Sequence, residues 1–170
     1  VYKRQDIPSD EILVIPAGLK QTPHYGYPFV HSAPGGGRIK DPKFGDHPNA
    51  RGITFVDPAI RVQAHAAVVG MSFYRGTQFP SRFQNALFVA EHGSWNRSKK
   101  VGYQVSVATF DANGQPDYQP SITGWLQGEK SWGRPNDVLS TPDGGLLISD
   151  DQAGVVYRVT TATTTQTEAL

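Results

Sequence analysis

The sequence contains no cysteine, which excludes disulfides and thiolate metal sites within the chain. Charged residues make up only 18% of it, and 16 Lys and Arg residues nearly balance 15 Asp and Glu residues. This balance predicts no sequence-independent affinity for nucleic acid or for an anionic membrane. No run of about 20 apolar residues is present, so no membrane-spanning helix is predicted.

Turn-forming residues are abundant instead, with 18 glycines and 13 prolines. Between them lie short runs rich in β-branched and aromatic residues, which predict strands. One strand–loop–strand unit occurs twice. Residues 87–92 match residues 146–151 at an offset of 59, and residues 102–107 match residues 154–159 at an offset of 52. The first copy therefore has seven extra residues in its loop. An antiparallel unit recurring about every 50 to 60 residues is typical of β-propeller blades.

The number of blades predicts a partial propeller. Each copy of the unit follows another predicted strand, at residues 71–74 and 137–140, and residues 117–125 predict an outer strand. Two to three four-stranded antiparallel blades fit in this chain, whereas propellers close with about four to eight. We therefore predict an all-β fold in which residues 1–170 form part of one propeller domain.

Other parts of the chain have weaker patterns. Residues 11–16 and 60–68 predict further strands, and residues 21–57 predict a long Gly/Pro-rich excursion. Residues 1–5 resemble a translated library adapter and are interpreted as a non-native start. The threonine-rich residues 160–170 predict a disordered tail.

The enlarged loop of the first copy is the strongest candidate for a functional site. Within residues 90–100 it places a histidine, a tryptophan, an asparagine, an arginine and two lysines between two rigid strands. Loops dense in hydrogen-bond donors and cations, held by a rigid scaffold, commonly bind or catalyse.

Several separate motifs, in this order along the chain, resemble the sorbosone dehydrogenase family, the soluble glucose/sorbosone dehydrogenases that use pyrroloquinoline quinone (PQQ). The motifs are residues 25–28, 70–76, 92–98, 124–129, 132–135 and 149–154. The resemblance implies a six-bladed propeller of which this chain is the C-terminal portion. It also implies that the catalytic base, a histidine, and the calcium site of the quinone lie upstream, so no catalytic or metal-binding residue is assigned here.

The resemblance further implies the chemistry of the site. The sugar loses a hydride to the quinone, whose three carboxylates require cations and whose rings require flat side chains. Cofactor-binding roles fall on Arg134, Arg97, His92, Trp95 and Asn136, the last standing where related glucose dehydrogenases have a second arginine. Lys99 and Lys100 are weaker candidates of the same kind. Substrate-binding roles fall on Tyr27 and His65.

The residues alone leave a structural alternative open for each candidate. Arg134 would pair with Asp137 or Asp150, Arg97 would be a solvated surface arginine, and His92 a satisfied hydrogen-bonding group. Trp95 would plug the core of its own loop, Tyr27 would pack the Gly/Pro-rich excursion, and His65 would be a half-buried strand histidine. Adjacent acids on a strand point to opposite faces, so Asp150 and Asp151 are predicted to cap a turn.

The sequence departs from the family pattern at a few positions. Relatives often have cysteines where Val30 and Ala50 stand, and tryptophan where Tyr27 stands. Losing both cysteines fits the loss of one disulfide, so the excursion loop is expected to be looser here.

The resemblance implies a sugar substrate, an electron acceptor such as a cytochrome c or a quinone, and a periplasmic or secreted location. The fragment alone is expected to be inactive. Two other classes stay open: a non-catalytic propeller that binds a partner, and a calcium-dependent lactonase-like propeller.

Overall fold

The computed structural model describes residues 6–161, which form thirteen β-strands and two single turns of 3-10 helix, Pro48–Ala50 and Ser81–Phe83. Both predicted chain ends fall largely outside this range. No helix in the described range is long and apolar enough to cross a membrane. The strands are β1 (Asp10–Ile12), β2 (Val30–Ser32), β3 (Arg38–Lys40), β4 (Ile60–Val62), β5 (Val68–Phe73), β6 (Leu87–Glu91), β7 (Gln104–Phe110), β8 (Pro116–Ile122), β9 (Leu126–Gln127), β10 (Lys130–Ser131), β11 (Pro135–Ser140), β12 (Leu146–Asp150) and β13 (Val155–Val159).

A four-stranded antiparallel sheet, in the order β5-β6-β7-β8, forms one complete blade. Strand β6 is buried along its whole length because both of its faces are covered. Phe88 and Ala90 enter one apolar core, while Leu87 and Val89 enter a second core on the opposite face. A continuous apolar run is what a strand covered on both faces requires.

A three-stranded antiparallel sheet, in the order β11-β12-β13, packs against this blade. The two inner strands approach closely at Gly70, where an added Cβ would lie 2.2 Å from the Asp137 carboxylate and 2.4 Å from its Cα. The Tyr74 hydroxyl donates across the interface to the carbonyl of Gly144 at 2.6 Å. Because β6 and β12 occupy the two copies of the repeat, the all-β, blade-built prediction is confirmed.

The strand predicted over residues 11–16 is shorter than expected. Strand β1 ends at Ile12, and the apolar side chains of Leu13, Val14 and Ile15 are exposed. Its partner β4 begins at Ile60, two residues after Pro58. Proline has no N–H to continue the ladder, so the pairing stops there.

The prediction of one strand over residues 60–68 is wrong, because a loop over residues 63–67 separates β4 from β5. His65 and Ala67 in this loop have left-handed backbone, with φ of 65° and 58°. Ala64, before His65, and Ala66, between the two, are buried and anchor the loop. His65 is therefore a loop residue and not the half-buried strand histidine considered above.

Within the predicted excursion, β2 and β3 pair as an antiparallel hairpin. The outer strand predicted over residues 117–125 is β8, which ends at Ile122. Gly124 follows with a φ of 128°, a conformation that L side chains rarely adopt, and this turns the chain out of the blade.

Candidate functional site

Loops from both sheets meet at one end of the molecule. In antiparallel sheets the end of β6 lies beside the start of β5, as the pairing of Glu91 with Val68 shows. The enlarged loop after β6 therefore lies beside the loop before β5. His92 and Gly93 donate their N–H groups to the carbonyls of Ala67 and Ala66 at 2.9 and 2.8 Å.

His92 contacts an acid of the neighbouring sheet. Its Nε2 lies 2.8 Å from Oδ1 of Asp151. These two residues are 59 positions apart, the offset of the sequence repeat, and so end equivalent strands at the same level. The hydrogen bond from His92 holds the pKa of the Asp151 carboxyl below its ordinary value of 3.8.

Arg134 supports the enlarged loop by binding main-chain carbonyls at its start. Its Nε donates to the carbonyl of His92 at 3.0 Å and its Nη2 to the carbonyl of Gly93. The guanidinium lies 5.4 Å from the centre of the Tyr103 ring. The ion pair with Asp137 or Asp150 that the sequence left open is absent from the described residues.

Asp150 has the predicted turn-capping role. Its Oδ1 accepts the N–H of Ala153 at 2.8 Å and the N–H of Arg134 at 2.9 Å. Its Oδ2 accepts the hydroxyl of Tyr157 at 3.1 Å. This buried carboxylate therefore joins the turn after β12 to the segment before β11, which places the Arg134 side chain.

A second buried carboxylate, Glu91, anchors the base of the enlarged loop. It accepts hydrogen bonds from the hydroxyls of Ser106 at 2.6 Å and Tyr118 at 2.7 Å. Burial, followed by the Glu91 charge, raises the pKa of Tyr118, so its hydroxyl stays a donor. The residue before His92 is thus held by β7 and β8.

Arg97 is directed back toward the protein. Its Nη1 donates to the carbonyl of Ala64 at 2.7 Å, and its Nη2 pairs with the carboxylate of Asp6. Only 9% of its side chain is exposed. It is therefore neither a solvated surface arginine nor directed at an external anion in this chain.

Trp95, at the tip of the enlarged loop, is 75% exposed and borders a hollow of about 170 Å³. It therefore does not plug the core of its own loop. The hollow combines an aromatic face, a carboxylate, an amide and a histidine. Its lining residues are Asp10, His65, Ala67, Trp95 and Asn96.

Of the predicted site residues, this hollow brings together only His65 and Trp95. Asp10 and Asn96 were not among the predicted site residues. Asn96 had a visible signal, since it lies in the enlarged loop beside Trp95. Asp10 had none, because it is distant in sequence and reaches the hollow only through the pairing of β1 with β4.

Two other predicted residues lie elsewhere. Tyr27 is 82% exposed and borders a separate hollow lined also by Ser9 and Glu11. Successive residues of a strand point to opposite faces, so this hollow lies on the side of β1 opposite to Asp10. Asn136 is exposed on β11, beside an irregularity in its pairing with β12.

The side chains at this end fit one side of a planar anionic group such as PQQ. The exposed ring of Trp95 offers a stacking face, and Nη1 of Arg134 has no hydrogen-bond acceptor among residues 6–161. Arg97 does not fit, since its two terminal nitrogens bind the carbonyl of Ala64 and the carboxylate of Asp6. Over the same range no group of three or more His, Asp or Glu side chains is arranged to hold a metal ion.

The fold and this site define an all-β protein assembled from propeller-type blades, with its candidate site in the loops at one end. The chain belongs to the TrAA12-like family, which matches residues 5–162.

Curated relatives are longer than this chain. An uncharacterized protein of Borreliella burgdorferi is 36% identical over 158 residues, covering 91% of this chain and 39% of the relative. A pyrroloquinoline quinone-dependent pyranose dehydrogenase of Coprinopsis cinerea is 28% identical over 122 residues, covering 60% of this chain and 16% of the relative. The chain thus spans about two fifths or less of these relatives.

Solved structures share the fold. A Trichoderma reesei enzyme of carbohydrate-active family AA12, in an iodide structure, superposes with a TM-score of 0.69 at 21% identity, covering 93% of this chain and 45% of that one. The holo PQQ domain of the Coprinopsis cinerea pyranose dehydrogenase superposes with a TM-score of 0.62 at 19% identity, covering 92% and 45%. The partial-propeller prediction is therefore confirmed. The family resemblance holds in its coarser form, as homology to this class of domain.

Proposed function

We propose that this chain is the C-terminal portion of a quinoprotein sugar dehydrogenase that oxidises an aldose or sorbosone with PQQ. The observation that carries the proposal is the enlarged loop, which exposes the Trp95 ring beside the Asp10 and His65 hollow. The relationship to a named PQQ-dependent pyranose dehydrogenase supports it.

The hollow has the chemistry that a sugar requires. An amide accepts hydrogen bonds from hydroxyl groups and donates to them, and an aromatic face packs against the apolar C–H surface of a sugar ring. Asn96 and Trp95 would supply the amide and the aromatic face. Tyr27 stays a predicted substrate residue, bordering the separate hollow on the other face of β1.

The cofactor would meet the same loops from the side of Arg134 and His92. Bound there, PQQ supplies the acceptor for the hydride of the sugar. In this chain, Arg134 would offer its Nη1 to an anionic group, and Asn136 a neutral amide. His92, hydrogen-bonded to Asp151, would orient the loop. The proton acceptor and the calcium site are proposed to lie in the upstream blades, so the fragment alone is expected to be inactive.

We place the whole protein in the periplasm or outside the cell, passing its electrons to a cytochrome c or to a quinone. These assignments follow from the proposed class of enzyme. They can be checked by fractionating cells and by comparing reduction of the two acceptors.

The central test uses the whole protein, reconstituted with PQQ and Ca²⁺, and follows dye reduction with a panel of aldoses and sorbosone. Trp95→Ala is expected to lower kcat/KM by about tenfold or more, since one face of the sugar loses its contact. Trp132→Ala is the matched control, because Trp132 is also an exposed tryptophan (50%) but does not border the hollow. Wild-type protein that binds PQQ yet reduces no dye with any sugar would favour the non-catalytic binding module.

A further inference from the structure

Asp10 occupies an unusual position for a strand residue. It is the first residue of β1 and pairs with Val62, the last residue of β4, immediately before the loop over residues 63–67. Its Oδ2 accepts the N–H of Ala67 at 2.7 Å, and its Oδ1 accepts the N–H of His65 at 3.3 Å. One carboxylate therefore holds both left-handed residues of that loop.

The loop needs such support because its backbone is unfavourable. A left-handed conformation costs roughly 1–2 kcal/mol for a residue with a Cβ. His65 and Ala67 both adopt it, with φ of 65° and 58°. Asp10 binds the N–H groups of the loop on one side, and Arg97 binds the carbonyl of Ala64 on the other. This explains why Arg97 is directed inward.

The loop in turn holds the enlarged loop. The carbonyls of Ala66 and Ala67 accept the N–H groups of Gly93 and His92. Gly102 also lies against this contact, where a Cβ would approach the carbonyl of Ala66 to 2.7 Å. A displacement of residues 63–67 would therefore move the segment that carries Trp95.

We propose that Asp10 is a positioning residue that fixes the hollow between His65 and Trp95 by clamping the loop before β5. The proposal rests on the proposed function, because it treats the hollow as the place where the sugar binds. Both oxygens of Asp10 are engaged by backbone N–H groups, so its role is to set geometry rather than to transfer a proton. Precise placement of substrate by groups outside the chemistry can change rates about a hundredfold for a shift of about 1 Å.

The test uses the whole protein with Asp10→Ala, Asp10→Asn and the control Asp117→Asn, which changes an exposed acid on the outer strand β8. Amide exchange is measured at Ala67, His92 and Gly93, together with KM and kcat for the best sugar. In Asp10→Ala, exchange at these amides is expected to be about tenfold faster or more, because the loop loses its hydrogen bonds to a charged acceptor. KM is expected to rise about tenfold while kcat changes less.

Asp10→Asn keeps one acceptor oxygen without the charge. Its amide exchange and its KM are therefore expected to lie between those of wild type and Asp10→Ala. Unchanged exchange at His92 and Gly93 in Asp10→Ala would overturn the proposal, and so would faster exchange with unaltered KM. If Asp10→Ala instead speeds exchange throughout the blade and changes kcat as strongly as KM, the substitution has lowered overall stability. That result would also contradict the proposal. If wild-type protein oxidises no sugar, the proposed function fails, while amide exchange still decides whether Asp10 clamps the loop.

Discussion

Replacing Arg134 distinguishes a structural arginine from a cofactor ligand. In the structure its guanidinium donates to the carbonyls of His92 and Gly93 and lies over the Tyr103 ring. Hydrogen bonds from a charged donor contribute roughly 1.5–3 kcal/mol each, and a cation–π contact about 0.5–1 kcal/mol. Since the side chain is only partly buried, the lower ends apply. Arg134→Met is expected to lower the free energy of unfolding by about 3–4 kcal/mol.

Arg134→Lys separates charge from geometry. Lysine keeps the positive charge but loses the planar fork that reaches two neighbouring carbonyls. An ammonium group in this position would bind one of the carbonyls, of His92 or of Gly93. About half of the loss seen with methionine is therefore expected.

The assay is urea unfolding of the whole protein without PQQ, with the free energy taken from the midpoint at constant slope. Lys100→Met is the matched control. The Lys100 ammonium also makes a cation–π contact with the Tyr103 ring and lies 5.5 Å from its centre. Its removal is expected to lower the free energy of unfolding by about 1 kcal/mol at most.

One result would refute this account of Arg134. If Arg134→Met unfolds like wild type without PQQ but binds PQQ far more weakly, the carbonyl contacts contribute nothing and the arginine acts as a ligand. A loss of stability with a smaller change in PQQ affinity supports the structural role. A loss of both stability and PQQ affinity would fit an arginine that supports the loop with two donors and binds the cofactor with Nη1.

Three further predictions concern other parts of the chain. Gly133→Ala is expected to destabilise the protein by about 3 kcal/mol or more in urea unfolding, because the new Cβ would lie 2.0 Å from Oδ2 of buried Asp150. Gly128→Ala, which faces open space at a φ of 62°, should lose only about 1 kcal/mol, and equal losses would contradict the clash. The pKa of Asp151, followed by NMR, should lie below 3.8, and His92→Gln should raise it, unless their hydrogen bond does not form in solution. Because this pKa is depressed in the folded state, its small stabilising effect is present above pH 3.8 and is lost as pH falls through the folded pKa. Finally, the isolated 170-residue chain should melt broadly by calorimetry, since its incomplete blades expose apolar side chains, and a sharp cooperative transition would argue against this.

The strands that sequence predicted well are those with strong local patterns. The run over residues 87–90 lies in β6, because a strand covered on both faces needs continuous apolar residues. Its repeat at residues 146–149 lies in β12, where buried and half-buried residues alternate. Strand β1 and the β4–β5 loop were predicted poorly. Their limits depend on Pro58 in a partner segment and on two left-handed residues, neither of which a hydrophobic pattern reports.

The candidate site shows the same division. The repeat offset already aligned His92 with Asp151, and the extra loop length identified the segment that carries Trp95. The chemistry of each arginine could not be predicted, because a guanidinium binds whichever oxygens the fold brings near it. In this fold those oxygens are main-chain carbonyls and the carboxylate of Asp6.

The amino-acid sequence by itself determined the all-β class, the blade repeat and the position of the enlarged loop, because these follow from local periodicity and from composition. Only the tertiary structure decided that Asp10, 55 and 57 residues away from the groups it binds, completes the hollow. Contacts of that kind arise when separate strands pair and bring distant residues together. They therefore leave no periodic trace in the chain.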